Sequence, residues 1–393
     1  MEMITFERAY EIVMNSSFST GTEEVHFTAS FNRVLAGHVI SDIDMPPFTK
    51  SSMDGYACRK QDLANDLEVL EIIPAGKSPS KALGRNQCSK IMTGAPVPEG
   101  ADCVIMVEDT EILTSGKIRF TGVFTKENIA KKGQDIKKGD MVLSPGIKIT
   151  PQDIAVMATV GHTTVSISKM PQVAVISSGN ELVEPSEFPG ISQIRNSNSY
   201  QLMAQVERAG AVGKYYGIAT DDEDMTYEII VKAISESDIV LVTGGVSMGD
   251  FDFVPAVLGR AGVKILFSRI AVQPGKPTTF GVHKKAIVFG LPGNPVSTLL
   301  QFELLVRPLI YKMMGYDWKP IEIHLPLKER FSRNFADRMA LIPVAITADR
   351  QALPIEFHGS AHISSMSGSF GIVSLPVGIK SIEKGEIVSV RQI

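Results

Sequence analysis

The sequence predicts a multidomain protein of α/β and β class. A central doubly wound α/β domain is preceded by an inserted β domain and followed by a small β domain. Three observations predict this. From residue 171 onward, short continuous apolar runs alternate with helix-length segments, the pattern of a parallel, helix-covered sheet. Residues 41–140 are rich in glycine and proline, with short β-branched runs and paired turn signals. Residues 319–393 return to short strand-like runs without a long helical pattern. At 393 residues the chain also exceeds the size at which a single core keeps growing, so at least two domains are expected.

Taken in order, Ile4, Phe6, Tyr10 and Val13 fall at helical spacing and predict a first helix over 3–14. The runs "LEVLEII" and "KIRFTGVF", with the turns "GAPVPEG" and "KKGQDIKKGD", build the β insert. "PQDIAVMATV" (151–160) opens with Pro151, whose missing N–H costs little at a helix start. "PQVAVISSG" is a buried strand that stops at Gly179. "NSNSYQLMAQVERAGA" is a helix with an Asn or Ser cap and a glycine stop. "KYYGIA" is a second strand, and the helix after it opens with acids, as the helix dipole favours. "DIVLVTGG" and "KKAIVFGLPGN" are later strands, the second leading into the long helix "PVSTLLQFELLVRPLIYKMMG". "IEIHLPL", "IVSLPVG" and "EIVSVRQI" supply the final β domain. The resulting division is 1–40 with 141–170, 41–140, 171–318 and 319–393.

Composition excludes several classes. The net charge of −4 gives no basic field, so nucleic acid is not expected as a partner. No apolar run reaches the length of a membrane span, and the N-terminus is acidic and amphipathic, unlike a signal peptide. Cys58, Cys88 and Cys103 are odd in number and widely spaced, which predicts buried core thiols in a reducing cytoplasm. The seven histidines form no ligand spacing, and no serine, histidine and aspartate arrangement suggests a hydrolytic triad.

The chemistry is expected beyond the carboxyl ends of the sheet strands, where open α/β sheets bind ligands. Three loops fall there: "SSGNE" (177–181), "TGGVSMGDFD" (243–252, with Gly244, Gly245, Ser247 and Gly249) and "GLPGNPVS" (290–297, with Pro292, Gly293, Asn294 and Pro295). They offer backbone N–H groups and small hydroxyls, a phosphate-compatible surface without a Walker lysine motif. Glu181, Asp221 and Asp252 each follow a strand, so all three can face one crevice. Carboxylates about 5 Å apart repel by roughly 3 kcal/mol at an effective dielectric near 20, and hard oxygen donors beside phosphate point to Mg²⁺. Asp221 and Asp222 also suit a helix cap, and so does Asp252. In "AVQPGKPTTFG" two prolines frame Gly275 and Lys276, presenting a rigidly held cation suited to an oxyanion. Asp54, in "MDGYA", and Asp135 read from the residues alone as turn acids.

In this order "MDGYA", "IMTGAPVPEGADCVIMVEDT", "GQDIKKGD", "SSGNEL", "IRNSNSYQL", "VTGGVSMGDFDF", "PGKP" and "GLPGNPVS" resemble the molybdopterin molybdenumtransferase family, the MoeA proteins and the gephyrin E domain. The resemblance spans essentially the whole chain. It implies a MogA-like α/β domain, a helical linker and dimerisation domain, and a barrel-like C-terminal β domain. It implies Mg²⁺-dependent insertion of molybdenum from molybdate into adenylylated molybdopterin, with release of AMP. It implies a homodimer in which Asp54 and Asp135 approach the acids Glu181, Asp221 and Asp252 from the partner chain. Lys276 and Pro277 match the loop implicated in holding molybdate, Arg338 and Ser360 match a C-terminal arginine and serine there, and Thr93 lies in the matching "TGAP" turn. The chain departs from the family at Gln273, where a basic residue is frequent, at Asn196, where aspartate is common, and at Thr49 and Lys50. A separate molybdopterin adenylyltransferase is expected to deliver the substrate. The alternatives are that this chain is itself the adenylyltransferase, or a non-catalytic scaffold as gephyrin relatives also are.

Overall fold

A computed structural model describes residues 2–219, 222–245, 254–355 and 361–393. The first helix, Phe6–Asn15, is capped by the Thr5 hydroxyl, which accepts from Arg8 N at 3.3 Å. Its buried stripe of Ala9, Val13 and Met14 joins the largest core, together with Val173, Leu202 and Leu309 of the α/β domain. The chain just before it pairs with the segment leading to "PGKP": Ala271 N donates to Ile4 O at 2.8 Å.

The linker is built from both flanks of the insert. Thr22–His26 pairs antiparallel with Thr164–Ser168, and Val39–Ile40 with Met141–Leu143. The helix Pro151–Thr159 starts where the Asp153 carboxylate accepts from Thr150 N and Oγ1, at 2.8 and 2.7 Å. Between these pairs the insert forms a four-stranded sheet in the order Glu68–Ile73, Gln87–Ile91, Gly55–Cys58, Cys103–Met106. Its register sets Cys58 opposite both Cys88 and Cys103, with the Cys58 and Cys103 sulfurs 3.6 Å apart. All three are buried free thiols, so residues far apart in sequence form one cluster. Burial pushes the Cys88 thiol up to about 12.

The α/β sheet has the strand order Val212–Ala219, Gln172–Ser178, Ile239–Thr243, Ile287–Leu291, Thr279–Val282, Lys264–Phe267. The first four strands are mutually parallel. Val173, Ile239, Leu241 and Phe289 pack on one face, and Ala174, Ile176, Val240 and Val288 on the other. Burial of both faces explains why these strands read as continuous apolar runs. The four strands expected to be parallel are so, and the sheet is extended by two further strands that run antiparallel. Only residues 283–286 separate Thr279–Val282 from Ile287–Leu291, too few for the crossover that a parallel pair needs. The long helix is also not uniform: Phe302–Val306 is a π-helical turn between Pro295–Gln301 and Arg307–Met313. Pro308 cannot donate to the preceding turn, and a wider turn just upstream accommodates its ring.

The C-terminal sheet runs Val272–Gln273, Met339–Ile346, Gly371–Leu375, Ile387–Gln392, Glu322–Pro326, with Ala352–Pro354 paired to the second of these. Its first strand belongs to the α/β domain, so the "PGKP" loop is drawn against the C-terminal domain by backbone pairing. A second tie joins the two: Arg391 Nη2 donates to Glu303 O at 3.2 Å, and Trp318 lies beneath the guanidinium groups of Arg307 and Arg391. Among the described residues, no helix is long and apolar enough to cross a membrane.

Candidate active site

At the carboxyl edge of the sheet the glycine loops touch. Gly244 has φ +92°, donates from N to Leu291 O at 3.2 Å, and sits so close to strand Gln172–Ser178 that a Cβ would run into the Ser178 carbonyl. A Cβ on Gly245 would lie 3.3 Å from Ser178 Oγ, and one on Gly293 would lie 3.7 Å from Gly244 Cα. Asn198 ties the loops from below. Its Nδ2 donates to Thr243 Oγ1 at 2.9 Å and to Gly293 O at 2.7 Å. The Thr243 hydroxyl donates to Pro292 O at 3.2 Å, and the Thr298 hydroxyl caps the same carbonyl. Two buried oxygens here, Ser178 Oγ and Asn198 Oδ1, have no hydrogen-bond partner among the described residues. Buried polar atoms are usually paired, so this edge keeps capacity for a ligand.

Asn196 has a local explanation. Its Oδ1 meets Ser177 Oγ at 3.0 Å, and its Nδ2 donates to Tyr215 OH at 2.8 Å. The Tyr215 hydroxyl in turn donates to Glu184 at 2.7 Å, so it needs a donor on its other side, which a carboxylate at 196 would lack.

Glu181 is exposed, with its carboxylate folded over Gly179, where a Cβ would collide with it. Asp221, Asp252, Ser247, Gly249 and Ser360 lie outside the described residues. Among the described residues no group of three or more acidic, histidine or cysteine side chains could hold a metal. Asp222 is the cap of helix Glu223–Glu236, accepting from Asp224 N and Met225 N at 2.9 Å each. Asp54 and Thr93 do meet: Asp54 Oδ1 accepts from Thr93 N at 2.6 Å and from its hydroxyl at 2.8 Å. These two bonds, the backbone one first, hold the Asp54 carboxyl below its ordinary value. Asp135 is an exposed turn residue whose N donates to Met45 O at 2.9 Å. Both acids belong to the β insert. Among the described residues no hydrogen bond or ion pair joins either to Glu181 or Lys276.

Next to the glycine edge lies a cavity of about 400 Å³. One wall is the loop Gln273–Pro277, a second is Pro292, Asn294 and Ser297, and the third is Phe331, Arg333 and Arg338 of the C-terminal domain. The 290–294 loop therefore serves both places, since Gly293 packs on Gly244 while Pro292 and Asn294 line the cavity. Pro295 opens the helix behind it. Gly275 has φ +112°, and its carbonyl is capped by the Thr278 hydroxyl at 2.8 Å. Lys276 is exposed on this wall and makes no ion pair among the described residues. Arg338 is three-quarters buried, with Nε 3.4 Å from Asp337.

Sequence reasoning missed Arg333 and Asn198. Arg333 donates to the carbonyls of Ile379 at 2.8 Å, Pro376 at 2.6 Å and Arg338, which fixes the backbone from which Arg338 projects. Nothing in "SRNFADR" signals this, because two of the carbonyls are more than 40 residues away. Asn198 stood inside the quoted "NSNSY", but its partners are known only from the fold. Chemically, the arrangement joins a cationic, half-enclosed cavity to a backbone edge open to phosphate.

Comparison with known proteins agrees with this layout. Residues 4–161 match the family model for the MoeA N-terminal region (domain I and II). Residues 174–312 match the one described as "Probable molybdopterin binding domain", and 325–393 the MoeA C-terminal region (domain IV). A Staphylococcus epidermidis molybdopterin molybdenumtransferase is 34% identical over 398 residues, covering 98% of this chain and 95% of that protein. A Bacillus subtilis protein of the same name is 33% identical, covering 94% and 89%. Two crystal structures of MoeA molybdopterin biosynthesis proteins from Pyrococcus horikoshii superpose with TM-scores of 0.86 and 0.84, at 29% and 34% identity. They cover all of this chain, which covers 100% and 99% of theirs. This chain belongs to the MoeA family.

Proposed function

We propose that this protein is a molybdopterin molybdenumtransferase that takes molybdate and adenylylated molybdopterin, inserts the metal and releases AMP, in the last step of molybdenum cofactor synthesis. The observation that carries the reading is the shared 290–294 loop, which sets a cavity lined by Lys276, Arg333 and Arg338 directly beside the glycine edge. Molybdate occupies the cavity between Lys276, Pro277 and Arg338. The pyrophosphate of the nucleotide lies along Gly244, Gly245 and Gly293, where the close backbone excludes side chains. Two anions are thereby held next to each other, and positioning with charge neutralisation carries most of the rate.

Carboxylate oxygens are the donors Mg²⁺ prefers. Glu181 stands at the right edge, and with Asp221 and Asp252 it would hold the ion, which when bound would neutralise phosphate charge. The protein acts as a homodimer, and Asp54 and Asp135 of one chain complete the site of the other. That assignment is supported by the exposure of both acids. The donor is a separate molybdopterin adenylyltransferase, and the setting is the cytoplasm, which suits three free thiols.

The test is AMP release from adenylylated molybdopterin with molybdate and Mg²⁺, comparing the natural protein with Asp252→Ala. The variant is expected to fold and to lose at least ~100-fold in rate, the scale of a lost metal ligand. Unchanged turnover in the variant, or full activity after chelation, would count against the metal assignment.

A further inference from the structure

The β insert gathers its three cysteines into one row across the sheet. Cys58, the last residue of its strand, stands directly opposite Cys88 on one neighbouring strand and Cys103 on the other. Opposed residues share a face, and all three side chains enter one core with Tyr56, Leu67 and Ile105. The two pairs are not equivalent. The Cys58 and Cys103 sulfurs are 3.6 Å apart, and among the described residues Cys88 makes no such contact. Residues opposed in an antiparallel pair have Cα atoms about 4.5–5.5 Å apart, inside the roughly 4.4–6.8 Å that a disulfide spans. Side-chain rotation therefore closes the remaining gap, with no change of register.

The pair also sits where the sheet opens most easily. Cys103 is the first residue of its strand, and the flanking Lys60 and Asp102 are exposed, with Lys60 N donating to Asp102 Oδ1 at 2.6 Å. Strand ends open at lower cost than strand centres, which admits a small oxidant to thiols that are otherwise fully buried. The hydrogen bond from the Cys58 thiol holds the Cys103 thiol below its ordinary value, while that bond and burial push Cys58 up. Cys103 is thus the sulfur that ionises first, and the thiolate is the nucleophile.

We propose that Cys58 and Cys103 are a dithiol modification site, which a peroxide converts to a disulfide that staples two strands of the insert while Cys88 stays free. The Cys103 sulfur attacks one peroxide oxygen, and the other leaves as hydroxide, which takes the proton that Cys103 released and becomes water. The Cys58 sulfur then displaces the hydroxyl from the Cys103 sulfenic acid, and this leaves with the Cys58 proton as a second water. Two thiols are oxidised and one peroxide is reduced. At the far end of the same strand pair Val107 N donates to Asp54 O at 3.2 Å, so the staple fixes the register that places Asp54.

The experiment treats the reduced full-length protein with hydrogen peroxide, then maps thiols by alkylation and mass spectrometry and follows thermal unfolding with and without dithiothreitol. The expected product is a monomeric chain lighter by two hydrogen atoms, with the Cys58 and Cys103 peptides linked and Cys88 alkylated only after unfolding. Closing a loop between residues 45 positions apart should raise the Tm of the insert by about 5 °C, and dithiothreitol should reverse the rise. Cys88→Ala should form the same bridge, and Cys103→Ala should form none. The Cys88 variant keeps the test decisive where Cys103→Ala fails to fold. A bridge that includes Cys88, linkage between chains, three intact thiols after peroxide treatment in sub-denaturing urea, or a Tm lowered by oxidation would each overturn the proposal.

Discussion

Removing the charge of Lys276 should weaken molybdate binding by an amount that Coulomb's law bounds. The ammonium stands on the cavity wall without an ion-pair partner among the described residues, so its field is not already neutralised. A unit charge ~4 Å from a dianion contributes about 2 kcal/mol at the dielectric of water, and several times more in a low-dielectric setting. Because Lys276 is exposed, the lower figure applies. It corresponds to roughly a 30-fold higher Kd for Lys276→Ala. Binding should weaken without vanishing, since Arg338 also lines the cavity. The assay is equilibrium dialysis of molybdate at low ionic strength and again near 1 M salt, where the Debye length of ~3 Å should shrink the difference. Lys276→Arg should keep most of the affinity. A Kd within about threefold of the natural protein at low salt, or a difference that salt does not touch, would refute the electrostatic role.

Three further outcomes follow. Asn198→Ala removes both bonds that tie Thr243 to Gly293 and should destabilise the α/β domain by ~2–4 kcal/mol in urea unfolding; a change below ~0.5 kcal/mol would show that the loops are held otherwise. Thr93→Val removes the hydroxyl bond to Asp54 while leaving the N–H bond, so the depressed carboxyl should titrate closer to the usual ~3.9, read by carboxyl carbon NMR. The sign is that of a lowered pKa: the contribution is complete above the unfolded value and lost as pH falls through the folded one, so in the variant the contribution is smaller and its loss is complete at a higher pH, and an unmoved titration would reject the assignment. Asp54→Ala and Asp252→Ala proteins, each expected to be nearly inactive, when mixed and allowed to exchange subunits should recover up to about a quarter of natural activity, because half of the dimers are mixed pairs with one intact site each; no recovery despite exchange would exclude a site shared between chains.

What the sequence disclosed follows from where its signals are local. Strands buried on both faces gave continuous apolar runs, and glycines just beyond them at 179, 244 and 293 marked the edge where the loops touch. The antiparallel edge was hidden because "KILF" and "TFGV" are only four residues each and carry no crossover signal. The pairing of Val272–Gln273 with Met339–Ala340 was equally invisible, yet it draws the segments of Lys276 and Arg338 to one cavity. The thiol cluster depends on register between strands 45 residues apart, so counting cysteines could not reveal it. Arg333 matters only through carbonyls supplied by other segments. For Asp54, residue type and spacing said turn; the bond to Thr93, 39 residues away, gave the position its chemistry.

The most direct measurement follows AMP and protein-bound molybdenum together in one reaction of the purified protein with adenylylated molybdopterin, molybdate and Mg²⁺. Two anions held side by side by one shared loop should yield one AMP for each molybdenum retained, with both products falling together in Lys276→Ala. AMP released without metal uptake, or adenylate accumulating when ATP and molybdopterin are supplied instead, would contradict the account.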